Sequence, residues 1–162
     1  MGDLQIRCYP DPILRHKCSA VREVGKEERK IIKQMKQAMY RHKGVGLAAP
    51  QIGIDKQIVI ADIGKGLLAL INPQILTRKG EEEGEEGCLS LPEVRVRVKR
   101  AKEIVVHGLS EEGKEKQMSM KGLLARVIQH EIDHLKGVLI IDYLHFIKRF
   151  LLEYRFRRGK KG

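Results

Sequence analysis

His130, Glu131 and His134 stand in the order His-Glu-x-x-His within the run Gln129-His130-Glu131-Ile132-Asp133-His134. Two histidines at this spacing project from one face of a helix, so both imidazoles reach a single metal ion. A glutamate beside the first histidine is positioned to handle a proton on water activated by that metal. The chemistry this predicts is hydrolysis. It leaves open where a third metal ligand comes from.

Three sources of that ligand follow from spacing. The extended pattern H-E-x-x-H-x-x-G-x-x-H fits through Gly137 but then meets Ile140, which cannot bind a metal. A glutamate well downstream is a second source, the arrangement of an HExxH metallopeptidase in which Cys88 is dispensable, and Glu153 is available, although it sits in a basic tail. The third is Cys88, in the loop-like segment Glu86-Gly87-Cys88-Leu89-Ser90-Leu91-Pro92. A thiolate with two imidazoles leaves a position for water, as a catalytic site needs. By residue type Cys88 reads equally as an ordinary buried thiol, which is also the reading of Cys8 and Cys18. The irregular spacing of these cysteines makes no disulfide framework. A closed structural metal site completed by His107 or Cys18 would instead suit a basic RNA- or ribosome-binding protein, but neither residue has suggestive spacing.

Gly44-Val45-Gly46-Leu47-Ala48-Ala49-Pro50-Gln51 combines glycines and alanines into a backbone with little side-chain bulk. Such a segment suits close approach of a ligand or another strand. Gln51 can offer a side-chain N–H to a developing oxyanion.

Taken in order, Gly44–Gln51, Glu86–Ser90 and His130–His134 resemble the motifs GxGxAAxQ, EGCxS and HExDH of the peptide deformylase family. The likeness runs from Tyr9-Pro10-Asp11-Pro12-Ile13-Leu14 to the C-terminal helix. The short connection Gly64-Lys65-Gly66 departs from the longer insertion many members carry, which bears on a local hairpin and not on the chemistry. The resemblance implies that Cys88, His130 and His134 ligate one divalent ion, Fe(II) in the cell, with Zn(II), Ni(II) or Co(II) also accepted. It implies that Glu131 is the general base and then acid. The oxyanion would meet the Gln51 side chain and the Leu89 backbone N–H. The reaction would remove the formyl group from N-formylmethionyl nascent peptides and release formate. The peptide would lie along Val45-Gly46 and Gly87–Leu89 by strand addition. The methionine pocket would be built from Val45, Leu89, Val127 and Leu123, with Arg95 against the substrate backbone or carboxylate. Asp133, off the histidine face, is expected to pair with Arg100 and orient the helix. No nucleotide cofactor and no membrane partner are expected.

The elements around these residues follow from periodicity. Lys26–His42 reads as an amphipathic helix with Ile31, Ile32, Met35, Ala38 and Met39 as its apolar stripe. Gln57–Ile63 and Leu67–Ile71 read as buried strands across a short glycine turn. Val94–Lys99 alternates strictly, as a strand with one wet face does. Glu103–His107 and Glu115–Met120 are further strands, joined by a turn at Ser110–Gly113. The motif helix runs through Leu124, Val127, Ile128 and Leu135 to a stop at Gly137. A short strand near Val138–Ile141 and a C-terminal helix close the chain. The predicted class is α+β, a mixed and largely antiparallel sheet around a central helix carrying the motif.

At 162 residues the chain reads as one domain over 1–162, with 146–162 as a basic helix and tail. Charged residues make up 33% and hydrophobic residues 42%, a globular balance. There is no apolar run long enough to span a membrane and no signal-peptide pattern. Few cysteines fit a reducing cytoplasm, with an organellar mature form as the other reading. The net charge is +11, and Lys148, Arg149, Arg155, Arg157, Arg158, Lys160 and Lys161 concentrate it near the end. Phe146, Phe150 and Tyr154, with Ile147 and Leu151 beside them, mark an apolar stripe there. This helix either docks with its charged face in solvent or is drawn to a polyanion such as RNA. The resemblance narrows the polyanion to the ribosome near its exit tunnel.

Overall fold

A computed structural model describes residues 5–159; Lys160 and Lys161, assigned above to the basic tail, lie outside the described residues. The helices are α1 (Lys26–Arg41), α2 (Gly122–Leu135) and α3 (Phe146–Gly159). The strands are β1 (Gly46–Ala48), β2 (Ile58–Ala61), β3 (Leu68–Lys79), β4 (Glu82–Cys88), β5 (Leu91–Arg100), β6 (Glu103–Leu109) and β7 (Glu115–Lys121). No described helix is long and apolar enough to cross a membrane.

The α+β class holds, with one correction to the sheet. It is not mixed: every described pairing is antiparallel, and the strands form two sheets, β1-β2-β3-β6-β7 and the hairpin β4-β5. Tight turns at 89–90 and 110–114 join β4 to β5 and β6 to β7, whereas parallel neighbours need crossovers of about a dozen residues or more.

The larger sheet is covered on both faces. Val59 and Ala61 of β2 pack with Val127, Ile128 and Ile132 of α2, while Ile58 and Ile60 pack with Met35 and Met39 of α1. All of β2 is therefore buried, and it reads as a continuous apolar run. β3 extends well past the expected Ile71. Its register shifts at Asn72, the chain's single Asn, which has φ +50 and tolerates that left-handed backbone better than most residues. The Asn72 side chain both accepts from and donates to the Val21 backbone, tying the N-terminal segment to the sheet.

A third core lies under the β4–β5 hairpin, where Leu91, Val96 and Val98 meet Tyr9, Leu14 and Leu139–Ile141. The strand expected at Val138–Ile141 is a 3-10 turn over Ile140–Tyr143 instead. The Asp142 carboxylate accepts from the Leu139 N–H at 2.8 Å, favouring the tight turn. Gly137 ends α2 as expected, at φ +74. A Cβ there would stand 2.4 Å from the Arg15 carbonyl, so only glycine fits.

α3 forms where expected but with the opposite facing. Leu152 and Phe156 dock on the third core, and Phe156 meets the Tyr9 ring edge-on at 5.7 Å between centroids. Phe146, Ile147, Phe150, Leu151 and Tyr154 are 53–71% exposed. Docking chose the narrower stripe because Arg149 and Glu153 beside it pair with Asp142 and Arg15 on the body.

Candidate metal centre and substrate cleft

α2 leaves β7 without a linker, Gly122 making the bend at φ +61 and donating to the Lys102 carbonyl. The helix is buried on the sheet side, so His130, Glu131 and His134 are held in fixed positions. His130 Nε2 lies 3.2 Å from His134 Nε2, and His134 Nε2 lies 3.2 Å from Cys88 Sγ. Among the described residues this trio is the one group whose donor atoms gather as a metal site would need, all within 4.8 Å of one another. Metal–nitrogen and metal–sulfur bonds of about 2.0 and 2.3 Å at tetrahedral angles place donors about 3.3–3.6 Å apart. The three side chains fit a small divalent ion.

The three sources of the third ligand now separate. Glu153 is held by Arg149 at 2.9 Å on α3 and does not join the histidines. Cys18 is buried in the core against α2, with burial and then Asp55 pushing its thiol up to about 11. His107 is paired opposite Gln117 in the β6–β7 register. Cys8, expected to be buried, is exposed.

Glu86 fixes the tautomer. Its Oε2 lies 3.0 Å from His130 Nδ1, so a proton on Nδ1 leaves the Nε2 lone pair facing Cys88 and His134. Glu86 also accepts from Arg100 Nε and a terminal Arg100 nitrogen, and from Arg126, each at 2.9 Å. Burial opposes its charge, yet hydrogen bonds from Arg100 and His130 outweigh burial and bring Glu86 down to about 2. Burial likewise works against a charged His130, but hydrogen bonds to Cys88 and Glu86 lift the ring well above its ordinary value. Arg100 in turn donates to Asp133 Oδ2 at 2.6 Å, the pairing expected from sequence. Tyr143, unforeseen, donates to the same oxygen at 2.6 Å and accepts from Arg100.

A cleft of about 620 Å3 opens beside this trio. One wall is Gly44–Gly46, the other Gly87–Leu89, and Val127 and Glu131 lie between. β1 pairs only with β2 and β4 only with β5, so each wall presents an unpaired strand edge. Gly46 is required here: a Cβ would stand 2.5 Å from Glu131 Oε1 and 2.6 Å from Val127 Cγ1. Glu131 is buried, and its Oε2 has no partner. Burial pushes this carboxyl up to about 7. Gln51 Oε1 accepts from the Ala48 N–H at 2.9 Å, which turns its amide nitrogen toward Ser90 Oγ (3.1 Å) and Cys88 Sγ (3.6 Å). Val45 and Leu123 line the cleft with half-exposed side chains, while Val127 is buried and Leu89 half-buried. Arg95 lies across Gly87, where a Cβ would meet its guanidinium at 3.0 Å, and so reaches over β4 toward the cleft.

The expected ligands, general base, oxyanion donor and substrate-contacting residues all border this cleft or metal trio, whereas Cys8, Cys18, Arg100, His107, Asp133 and Glu153 do not. The ones missed are Glu86, Arg126 and Tyr143. A signal for the buried network was present: Val94, Val96 and Val98 set the inward phase of β5, and Arg100 falls in it.

A family model for polypeptide deformylase matches residues 3–150. The chain belongs to the polypeptide deformylase family. It is 42% identical to the peptide deformylase of Thermodesulfovibrio yellowstonii over 99% of this chain and 100% of that one. It is 48% identical to that of Syntrophomonas wolfei over 88% and 93%. The structure superposes on a peptide deformylase of Ehrlichia chaffeensis in complex with actinonin with a TM-score of 0.94, at 31% identity and complete coverage of both chains. The Thermotoga maritima peptide deformylase matches at TM-score 0.85 and 43% identity, over 88% of this chain and 97% of that one. The deformylase fold thus spans α3 as well as the metal trio.

Proposed function

We infer that this chain is a metal-dependent hydrolase that removes the formyl group from the initiator formylmethionine of nascent polypeptides, releasing formate. The observation that carries this reading is the convergence of Cys88, His130 and His134 beside a buried glutamate in a cleft with two free strand edges. Cys88, His130 and His134 would hold one divalent ion, which when bound supplies Lewis-acid activation of water. Fe(II) is the ion proposed, and the same donors accept Zn(II), Co(II) or Ni(II).

Glu131 takes the proton released as water adds to the formyl carbon and returns it to the departing amine. A carboxyl lifted toward neutrality suits both transfers. The Gln51 amide and the Leu89 backbone N–H donate to the oxyanion. The peptide main chain adds as a strand between Val45-Gly46 and Gly87–Leu89, a mode that asks little of its sequence. Val45, Leu89, Leu123 and Val127 receive the methionine side chain, and Arg95 meets the peptide beyond it. The whole chain acts as one catalytic domain, with 146–162 as its basic helix and tail.

The test is formate release from formyl-Met-Ala-Ser by protein purified without oxygen, with and without added Fe(II), Zn(II), Co(II) or Ni(II). Release that needs metal, and disappears in Glu131→Ala, is the expected result. Folded, metal-loaded protein that releases no formate would defeat the proposal. Actinonin, bound by the Ehrlichia relative, is expected to inhibit.

The ribosome is the partner proposed for α3. Supporting it are the five exposed apolar side chains and, beside them, Lys148, Arg155, Arg157 and Arg158, a surface suited to protein and phosphate together. Phe150→Ser with Leu151→Ser is expected to weaken co-sedimentation with ribosomes at low salt; unchanged binding would remove this partner. The cytoplasm is the compartment proposed, in keeping with a thiol, Cys88, placed beside two histidines as a metal ligand would be.

A further inference from the structure

A second cavity, of about 370 Å3, lies on the far side of α2 from the substrate cleft. It is bounded by the end of β3, the β3–β4 turn, the end of β5, the outer face of α2 and Tyr143. Its volume falls within the range of small-ligand sites.

The charges around it do not cancel. Lys99 pairs with Glu81 at 3.6 Å. Arg100 and Arg126 together face Glu86 and Asp133. With those pairs set aside, Arg78 and Lys136 remain, and neither has an acidic partner among the described residues. Two positive charges are therefore left over one small hollow. Arg100 adds a donor from a buried position. A guanidinium has five N–H groups, and four of those on Arg100 are taken by Glu86, Asp133 and Tyr143.

We propose that this cavity binds a free, doubly charged oxyanion of the phosphate or sulfate kind, held by Arg78 and Lys136 and reached by the remaining N–H of Arg100. The charge of such an ion matches the two unpaired cations, and its several acceptor oxygens suit forked and flexible donors together. Arg100 also joins the cavity to the metal trio through Glu86 and His130 Nδ1. An occupant would thus touch the network that orients a metal ligand, with no access to the substrate cleft needed. This inference stands apart from the deformylase reading, because binding is read without catalysis.

The experiment titrates inorganic phosphate into the full chain at constant ionic strength set with chloride, following the Tyr143 ring and Arg100 Nε–H signals by NMR and heat by calorimetry. Saturable binding with shifts at both residues is expected, and chloride alone should give neither. Arg78→Ala with Lys136→Ala removes exposed side chains, so the fold should persist, and binding should weaken by at least about tenfold. Phe150→Ser, outside the cavity lining, should bind phosphate as the parent does. Linear, unsaturable shifts, or equal affinity in the double variant, would overturn the proposal. A short single-stranded RNA that binds at this site where phosphate does not would overturn it as well, making the phosphate of a nucleic acid the true ligand.

Discussion

α2 and α3 are the same length, 14 residues, and treat their side chains in opposite ways. Nine residues of α2 are buried, and none of α3 is. Each carries one glutamate mid-helix. Glu131 is buried with an oxygen left unpartnered, while Glu153 is satisfied by Arg149 and Arg15. The contrast teaches that a helix builds chemistry where its neighbours cover it, because only there are rotamers locked and polar atoms denied water. A helix docked by one edge leaves its apolar groups for a partner.

The sharpest way to test that contrast is to remove both glutamates in turn. Glu131→Ala is expected to lower kcat for formate release by about 10²–10⁴-fold with metal content unchanged, while Glu153→Ala should leave kcat near the parent value. Equal losses would erase the distinction between the helices. Arg100→Ala is next. It takes from Glu86 and Asp133 the cation they share, leaving Glu86 with Arg126 and Asp133 with the Tyr143 hydroxyl, and breaking a buried pair from one side costs about 3–5 kcal/mol. Urea unfolding measures this, and metal affinity should fall with it as His130 loses its orienting partner.

Apolar truncation gives the third test. Ile128→Ala in α2 is expected to cost about 2–5 kcal/mol, whereas Leu151→Ala in α3 should stay within about 0.5 kcal/mol. A large loss at Leu151 would mean that α3 is covered in solution. α1 offers the smallest effect. Glu28 is depressed below its ordinary 4.5, first by a hydrogen bond from Lys56 and then by one from the Gly25 N–H. A depressed carboxyl contributes stability above its ordinary value and loses it as pH falls through the depressed one. Acidification below about pH 4.5 should therefore cost the parent more stability than Glu28→Gln, as read by thermal melts across pH. Identical acid profiles would remove the pair as a source of stability.

Much of this molecule was legible beforehand for local reasons. The α2 and β5 periodicities, the stop at Gly137 and the three motifs each depend on side chains close in sequence. β4 was not legible: Glu82-Glu83-Gly84-Glu85-Glu86-Gly87-Cys88 has poor strand propensity. It is a strand because basic β5 lies beside it, with Arg97 on Glu83 and Lys99 on Glu81 across the hairpin. The hydrogen bond from His130 to Glu86 escaped notice for the same reason, being a contact between residues 44 positions apart.

The sequence by itself determined the chemistry on offer: two imidazoles one helical turn apart, a carboxylate beside them and a thiol in a glycine-flanked segment. Residue type and helical geometry suffice for that, since both are local. Tertiary structure alone decided which thiol faces the histidines, which arginine is buried under Glu86 and which stripe of α3 meets water. Those choices turn on desolvation and pairing between distant segments, and such energies exist only once the chain has closed on itself.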